Sequence, residues 1–147
     1  MMAVAVTYSQ IIAQMRRRAG GLLAGNLDDL VKDYTFPMPV DLLSTRVIVR
    51  SAGESRAMLA LQRKVMLERG VTKLEPVVKA VDLPRAGRLR VWVDWHELAP
   101  GPDGARVSSA IYFCSIHGKD LRIQMIQYLR LSSPELRPQF AALALTA

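Results

Sequence analysis

The sequence predicts an α+β fold in which a curled antiparallel sheet covers three helices from the first half of the chain. Three observations carry this reading. Apolar residues recur at spacings of three and four up to about residue 70, the period of amphipathic helices. From Thr72 onward the period is two, the alternation of strands that bury one face. The joints between those strands are short and rich in turn residues, so neighbouring strands run antiparallel. At 147 residues the chain fits one domain, with a core over about 7–131 and a tail over 132–147.

The first helix carries Tyr8, Ile11, Ile12, Met15, Ala19, Leu22 and Leu23 on one face. Thr7 and Gln10 have the spacing of a capping box, in which each side chain satisfies the other residue's free backbone N–H. Gly20 and Gly21 weaken the helix, and Gly25-Asn26 reads as a stop followed by a restart. A second helix then shows Leu27, Leu30, Val31 and Tyr34 on one side, with Asp28 and Asp29 complementing the dipole of its first turn. It ends before Phe36-Pro37-Met38-Pro39, since each proline biases its predecessor towards extended geometry. A short hairpin is expected over 40–50, turning near Ser44. Ser51 and Glu54 form another capping box, Met58, Leu61, Val65 and Met66 make the stripe of a third helix, and Gly70 stops it. Strands follow at 73–81, 88–98, 106–116 and 121–131, and a last helical turn is expected around 140–145.

Charge and composition exclude several classes of function. Lys and Arg outnumber Asp and Glu by 20 to 13, which favours solubility and attracts anions without dictating a fold. A single cysteine, Cys114, rules out an internal disulfide framework and a cysteine-built zinc site. With only His96 and His117 as histidines, no metal site is expected, and the absence of phosphate-loop, dinucleotide, G-x-S-x-G and H-E-x-x-H motifs leaves no cofactor expected either. No secretory signal is legible in residues 1–14 and no apolar run approaches the ~20 residues that span a bilayer, so a cytoplasmic protein is expected. Arg16-Arg17-Arg18, together with Arg88, Arg90, Arg122 and Arg130, reads as a solvated basic surface or the rim of a dimer rather than a nucleic-acid site. Cys114, inside an apolar strand with nothing basic beside it in sequence, reads as a buried inert thiol.

The run Gly25-Asn26-Leu27-Asp28-Asp29-Leu30-Val31-Lys32-Asp33-Tyr34, followed by Phe36-Pro37-Met38-Pro39-Val40, resembles the second-helix signature of the nuclear transport factor 2-like superfamily. That group includes ketosteroid-isomerase-like and SnoaL-like proteins. The resemblance implies a cystatin-like roll, a cone-shaped and strongly curved sheet closed at one end by helices, with a pocket at the wide end. It also implies homodimers joined through the convex sheet face. Members of the group include isomerases, dehydratases, cyclases, hydrolases and catalytically silent binding domains, so the fold does not fix the function.

Within that frame the strand faces suggest roles. Leu89, Val91, Val93 and Trp95 form the more apolar register of their strand, matched by Leu121, Ile123, Met125 and Leu129, and these are expected to line the concave side. Ile111 or Phe113 adds apolar wall, while Tyr34, Ser109 and Gln127 are the expected polar orienters of a small apolar or carbonyl-containing ligand. Trp92, Ile126 and Tyr128 then fall on the convex face, where a second copy would pack. Asp94 and His96, two apart on one strand, share a face and suit an acid–base pair. They reach the cone only if a β-bulge inverts the register; otherwise they are solvated or interfacial. Asp41 stands roughly where the resemblance implies a proton-transfer carboxylate, with a tyrosine as oxyanion donor. Three readings follow: a pocket domain, a cofactor-free isomerase, dehydratase or cyclase, and a protein interaction module.

Overall fold

The computed structural model describes residues 6–102, 104–134, 136–139 and 142. The elements run α1 (Tyr8–Ala24), α2 (Leu27–Val31), β1 (Met38–Leu42), β2 (Thr45–Val49), α3 (Ala52–Glu68), β3 (Lys73–Val81), β4 (Arg88–Leu98), β5 (Ala105–His117) and β6 (Asp120–Arg130). The turn expected at 140–145 lies outside the described residues except for helical Ala142. No helix among the described residues is long and apolar enough to cross a membrane.

Helix boundaries follow local chemistry. Both hydrogen bonds of the Thr7–Gln10 capping box form, with the Gln10 N–H donating to Thr7 Oγ1 at 3.2 Å and the Thr7 N–H to Gln10 Oε1 at 2.9 Å. Gly25 ends α1 in the left-handed region at φ 85°, and the Asn26 N–H donates back to the Gly21 carbonyl at 2.8 Å. Asn26 is thereby held by its backbone, and its side chain makes no cap bond. At α3, Ser51 accepts from the Glu54 N–H at 3.2 Å, but Glu54 reaches one residue further back than a capping box requires, to the Arg50 N–H.

The six strands form one sheet in the order β2-β1-β6-β5-β4-β3. The β3–β6 meander is antiparallel as expected, but the sheet as a whole is mixed, because β1 joins β6 in parallel. The cause is topological: α3 carries the chain away from the β1–β2 hairpin, and four antiparallel strands bring it back alongside β1.

Helices cover one face of this sheet, here called the inner face, and the core lies between the two. Met15, Leu22, Leu30, Val91, Val93, Leu121 and Ile123 are all buried there. The stripe of α1 is rotated from its apolar pattern: Gln14 and Arg18 are buried while Tyr8 is exposed. Gln14 lies against the start of β6, its Nε2 donating to the Leu121 carbonyl at 2.8 Å and its Oε1 accepting from the Leu121 N–H at 2.9 Å. Both polar ends of the amide are thus satisfied, which is the condition for burying it.

Bulges decide which side chains face inward. Gln124 and Leu129 are extra residues on β6, since Phe113 pairs with Met125 but Cys114 with Ile123, and Ser109 pairs with Arg130 but Ala110 with Tyr128. Each inserted residue breaks the strict alternation. Ile123, Ile126 and Tyr128 therefore share the inner face, while Met125 and Gln127 turn outward.

Candidate functional site

The inner face, between the helices and the sheet, carries a cluster of polar side chains from six elements or their ends. Arg18 comes from α1, Tyr34 from the end of α2, Gln62 from α3, Trp95 and Glu97 from β4, Ser108 and Tyr112 from β5, and Tyr128 from β6. They surround a cavity of about 40 Å³. A second of about 40 Å³ extends towards Met38, Val49 and Met58, and a third of about 20 Å³ towards Ser132 and Leu136. Gln62 and Tyr128 line all three, Tyr34 also lines both the first and second, and Met66, Glu97 and Ser108 line both the first and third. A water needs roughly 10–15 Å³, so each chamber has room for one to a few waters.

Arg18 organises the polar end of the cluster. Its Nη1 donates to the Leu30 carbonyl at 3.0 Å and to Asp33 Oδ2 at 3.1 Å, and its Nη2 to the Tyr34 hydroxyl at 2.6 Å. The guanidinium also lies 4.8 Å from the centre of the Tyr34 ring. Burial works against the Arg18 charge, but the fields of Tyr34, Tyr112 and Asp33 outweigh it and hold its pKa above the ordinary guanidinium value. Arg17 reaches Asp33 from the solvent side at 2.9 Å and Asp29 at 2.6 Å. The three-arginine run thus divides: Arg18 is buried, Arg17 is committed to two carboxylates, and Arg16 is exposed, with no ion-pair contact among the described residues.

Three phenols meet at the first cavity. Tyr34 accepts from Arg18, and Tyr112 accepts from Trp95 Nε1 at 2.9 Å. Among the described residues neither hydroxyl proton has an acceptor, and the Tyr128 hydroxyl makes no hydrogen bond. Burial pushes the Tyr128 phenol up from its ordinary range, reinforced by Tyr34 beside it, and burial does the same to Tyr112 with Tyr128 as its neighbour. Both therefore remain neutral O–H donors at physiological pH. An N–H donated to a phenol oxygen polarises its O–H, so Tyr34 and Tyr112 are strengthened as donors.

A carboxylate lines the same cavity. Glu97 is buried, pairs with Arg69 Nη1 at 2.5 Å and accepts from the Ser132 hydroxyl. Ser132 is fixed in turn by its N–H donating to Ser108 Oγ at 2.9 Å and its carbonyl accepting from Arg106 at 3.2 Å. The segment after β6 is therefore part of the site, with Leu136 buried beneath it.

The structure sorts the expected site residues onto both faces. Tyr34 and Trp95 line the first cavity, and Val91 and Val93 lie buried on the same face beneath it. Ser109, Ile111, Phe113, Met125 and Gln127 belong instead to the outer face, where Ser109 donates to Asp94 at 2.8 Å. For Met125 and Gln127 the reason is the bulge at Gln124. For β5 it is that Ile111-Tyr112-Phe113-Cys114 is apolar on both sides, so alternation there does not mark a face. Ile126 and Tyr128, expected on the convex face, turn inward for the same bulge, and Trp92 alone of that trio is outer, under Arg90 at 4.8 Å. Asp94 and His96 share the outer face, with Val77 and Glu75 paired opposite them on β3. Asp41 is outer as well, tied to Arg46 at 2.5 Å, whose hydrogen bond holds its carboxyl below the usual range. The expected acids and imidazole thus do not converge on the cavity, whereas Glu97 and Tyr128 do.

Glu97 is the residue that alternation alone identifies. It continues the buried register Val91, Val93, Trp95 at a position where a charge needs a partner. Arg18 carries a comparable signal, lying four residues after Gln14 inside an apolar stripe.

Cys114 is buried on the inner face, and burial raises its thiol pKa to about 12. The folded chain holds this thiol and the phenols of Tyr112 and Tyr128 protonated where the unfolded chain ionises them. Stability is therefore expected to fall as pH rises from about 9, the ordinary thiol value, towards 12. Each such group contributes a slope of up to ~1.4 kcal/mol per pH unit. Urea melts between pH 8 and 11 check this, and Cys114→Ala should flatten the first part of the decline; a flat profile to pH 11 contradicts it.

No family model and no curated protein matches the sequence. Solved structures do match it in fold. A domain of unknown function with a cystatin-like fold from Nostoc punctiforme aligns with a TM-score of 0.64 at 18% identity, over 90% of this chain and 80% of that one. An NTF2-like protein with a cystatin-like fold from Novosphingobium aromaticivorans gives 0.63 at 9% identity, over 90% and 86%. The beta subunit of benzoate 1,2-dioxygenase from Burkholderia mallei gives 0.58 at 12% identity, over 84% and 90%. The chain therefore has the NTF2-like, cystatin-like α+β fold, and at these identities the likeness is one of fold alone.

Proposed function

We propose that this domain binds a small acceptor-bearing organic molecule, a carbonyl or carboxylate compound, between the helices and the inner sheet face. The observation that carries the reading is the convergence of Tyr34, Tyr112 and Tyr128 on one cavity with hydroxyl protons that have no acceptor among the described residues. Hydroxyl protons that face a small cavity without a protein acceptor are free to donate to a ligand oxygen. The chambers are smaller than the roughly 300 Å³ at which drug-sized sites begin. A ligand of that size enters by displacing Gln62 and Tyr128, the two side chains that line all three chambers.

Acetate, cyclohexanone and benzoate serve as probes, read by thermal shift and by NMR of the full chain. At least one is expected to bind saturably, and Tyr128→Phe to weaken it about tenfold while leaving the fold intact, the loss expected for one buried hydrogen bond. If none saturates, or Tyr128→Phe binds as the native chain does, the reading fails. As part of the same proposal, two copies pair through the outer face around Trp92. A Trp92→Glu chain is then expected to sediment as a monomer where the native chain sediments as a dimer; identical sedimentation rejects the pairing.

A proton-transfer reading is favoured by Glu97 lying in the same wall as Ser108 and Tyr128. Under it, cyclohexanone exchanges its α-protons with D₂O faster in the presence of the native chain than of Glu97→Gln.

A further inference from the structure

At the β3–β4 turn, whose residues line none of the inner cavities, two arginines face each other. The Arg85 N–H donates to the Arg88 carbonyl at 2.9 Å and the Arg88 N–H returns the bond at 3.1 Å, so the two residues are directly opposed across a two-residue turn. Ala86 and Gly87 both have positive φ, 54° and 73°, as a tight hairpin with the right twist requires. The turn is also tied sideways, since the Gly87 carbonyl accepts from the Ile116 N–H at 2.8 Å. Asp82 fixes the third arginine of the group, holding Arg90 Nε at 2.7 Å and the Arg90 N–H at 3.2 Å.

Like charges directly opposed across a strand pair are destabilising. Neither Arg85 nor Arg88 has an ion-pair or hydrogen-bond partner for its guanidinium among the described residues. Beside them opens a groove of about 690 Å³, walled by Leu83, Phe113 and Gln124, and it shares no lining residue with the inner cavities. Leu83 is 90% exposed at its lip, an apolar side chain with nothing to cover it. A rigid turn that opposes two uncompensated guanidiniums next to an apolar wall is complementary to a molecule with an oxydianion at one end and an apolar body at the other.

We infer that this groove is a binding site for a small organic phosphate monoester, its phosphoryl oxygens held by Arg85 and Arg88 and its organic part lying against Phe113 and Leu83. Guanidinium forks match phosphate geometry two oxygens at a time, which a lysine's point charge does not. The groove's volume lies within the span of small-molecule sites.

The test titrates phenyl phosphate, inorganic phosphate and vesicles containing phosphatidic acid into the native chain, followed by backbone and arginine side-chain NMR and by co-sedimentation. Phenyl phosphate is expected to saturate and to bind more tightly than inorganic phosphate, with shifts centred on residues 82–90, Phe113 and Gln124. Arg85→Gln and Arg88→Gln should each weaken it at least tenfold, and Arg88→Lys by an intermediate factor. Because both arginines repel each other in the empty protein, the two glutamine variants are expected to melt at or above the native temperature, so lost binding is not lost folding. The inference is overturned by non-saturating shifts, by binding that survives both glutamine variants, or by binding to the vesicles without binding to phenyl phosphate, which makes the patch a membrane contact instead.

Discussion

Arg18→Met is expected to destabilise the chain by about 3 kcal/mol, the lower end of what breaking one side of a buried ion pair costs. Methionine has a similar length and apolar stem, so the change removes charge and hydrogen bonds more than volume. What remains is an Asp33 carboxylate buried with one partner instead of two, a Leu30 carbonyl without its donor, and a Tyr34 hydroxyl without its guanidinium. The loss sits at the lower end because Arg17 still reaches Asp33 at 2.9 Å. Arg17→Ala is the contrasting variant. Its side chain is 40% exposed, its pairing with Asp29 and Asp33 is screened by solvent, and less than about 1 kcal/mol should be lost. Urea denaturation with unchanged slope measures both. Equal losses for the two arginines would show that burial of Arg18 carries no special weight.

Glu97→Leu is expected to cost about 3 kcal/mol, for a different reason. The harm lies in what is left behind, since Arg69 Nη1 loses its carboxylate while Nη2 already has no hydrogen-bond partner among the described residues. Removing both charges should undo much of the damage, so Arg69→Met with Glu97→Leu is expected to be more stable than Glu97→Leu alone. The double-mutant cycle then gives a coupling of about 2 kcal/mol. Additive losses would mean that Glu97 matters through Ser132 and the segment after β6, and not through Arg69.

These two sites mark the boundary of what the sequence reveals. Helix starts at Thr7 and Ser51, the stop at Gly25, and the four long strands were legible because their causes are local: a hydroxyl three residues from an N–H, a glycine free to adopt positive φ, an alternation of two. The inner register of β4 was legible for the same reason, as Val91, Val93 and Trp95 alternate with Trp92, Asp94 and His96 and are buried accordingly. In β6 the alternation misled. One extra residue at Gln124 reverses the side chains from Met125 to Tyr128, and nothing in the strand's own pattern marks that residue as the insertion, because its neighbours Ile123, Met125 and Ile126 are all apolar.

The set of elements and their order are therefore readable from the chain, since hydrogen-bonding and periodicity act within a few residues. Which polar groups form the candidate site was decided only by the tertiary structure. Arg18, Gln62, Glu97 and Tyr128 are far apart in the chain; only folding lines one cavity with all four, and Arg18 and Glu97 can be buried there because it brings Asp33 and Arg69 to their charged ends.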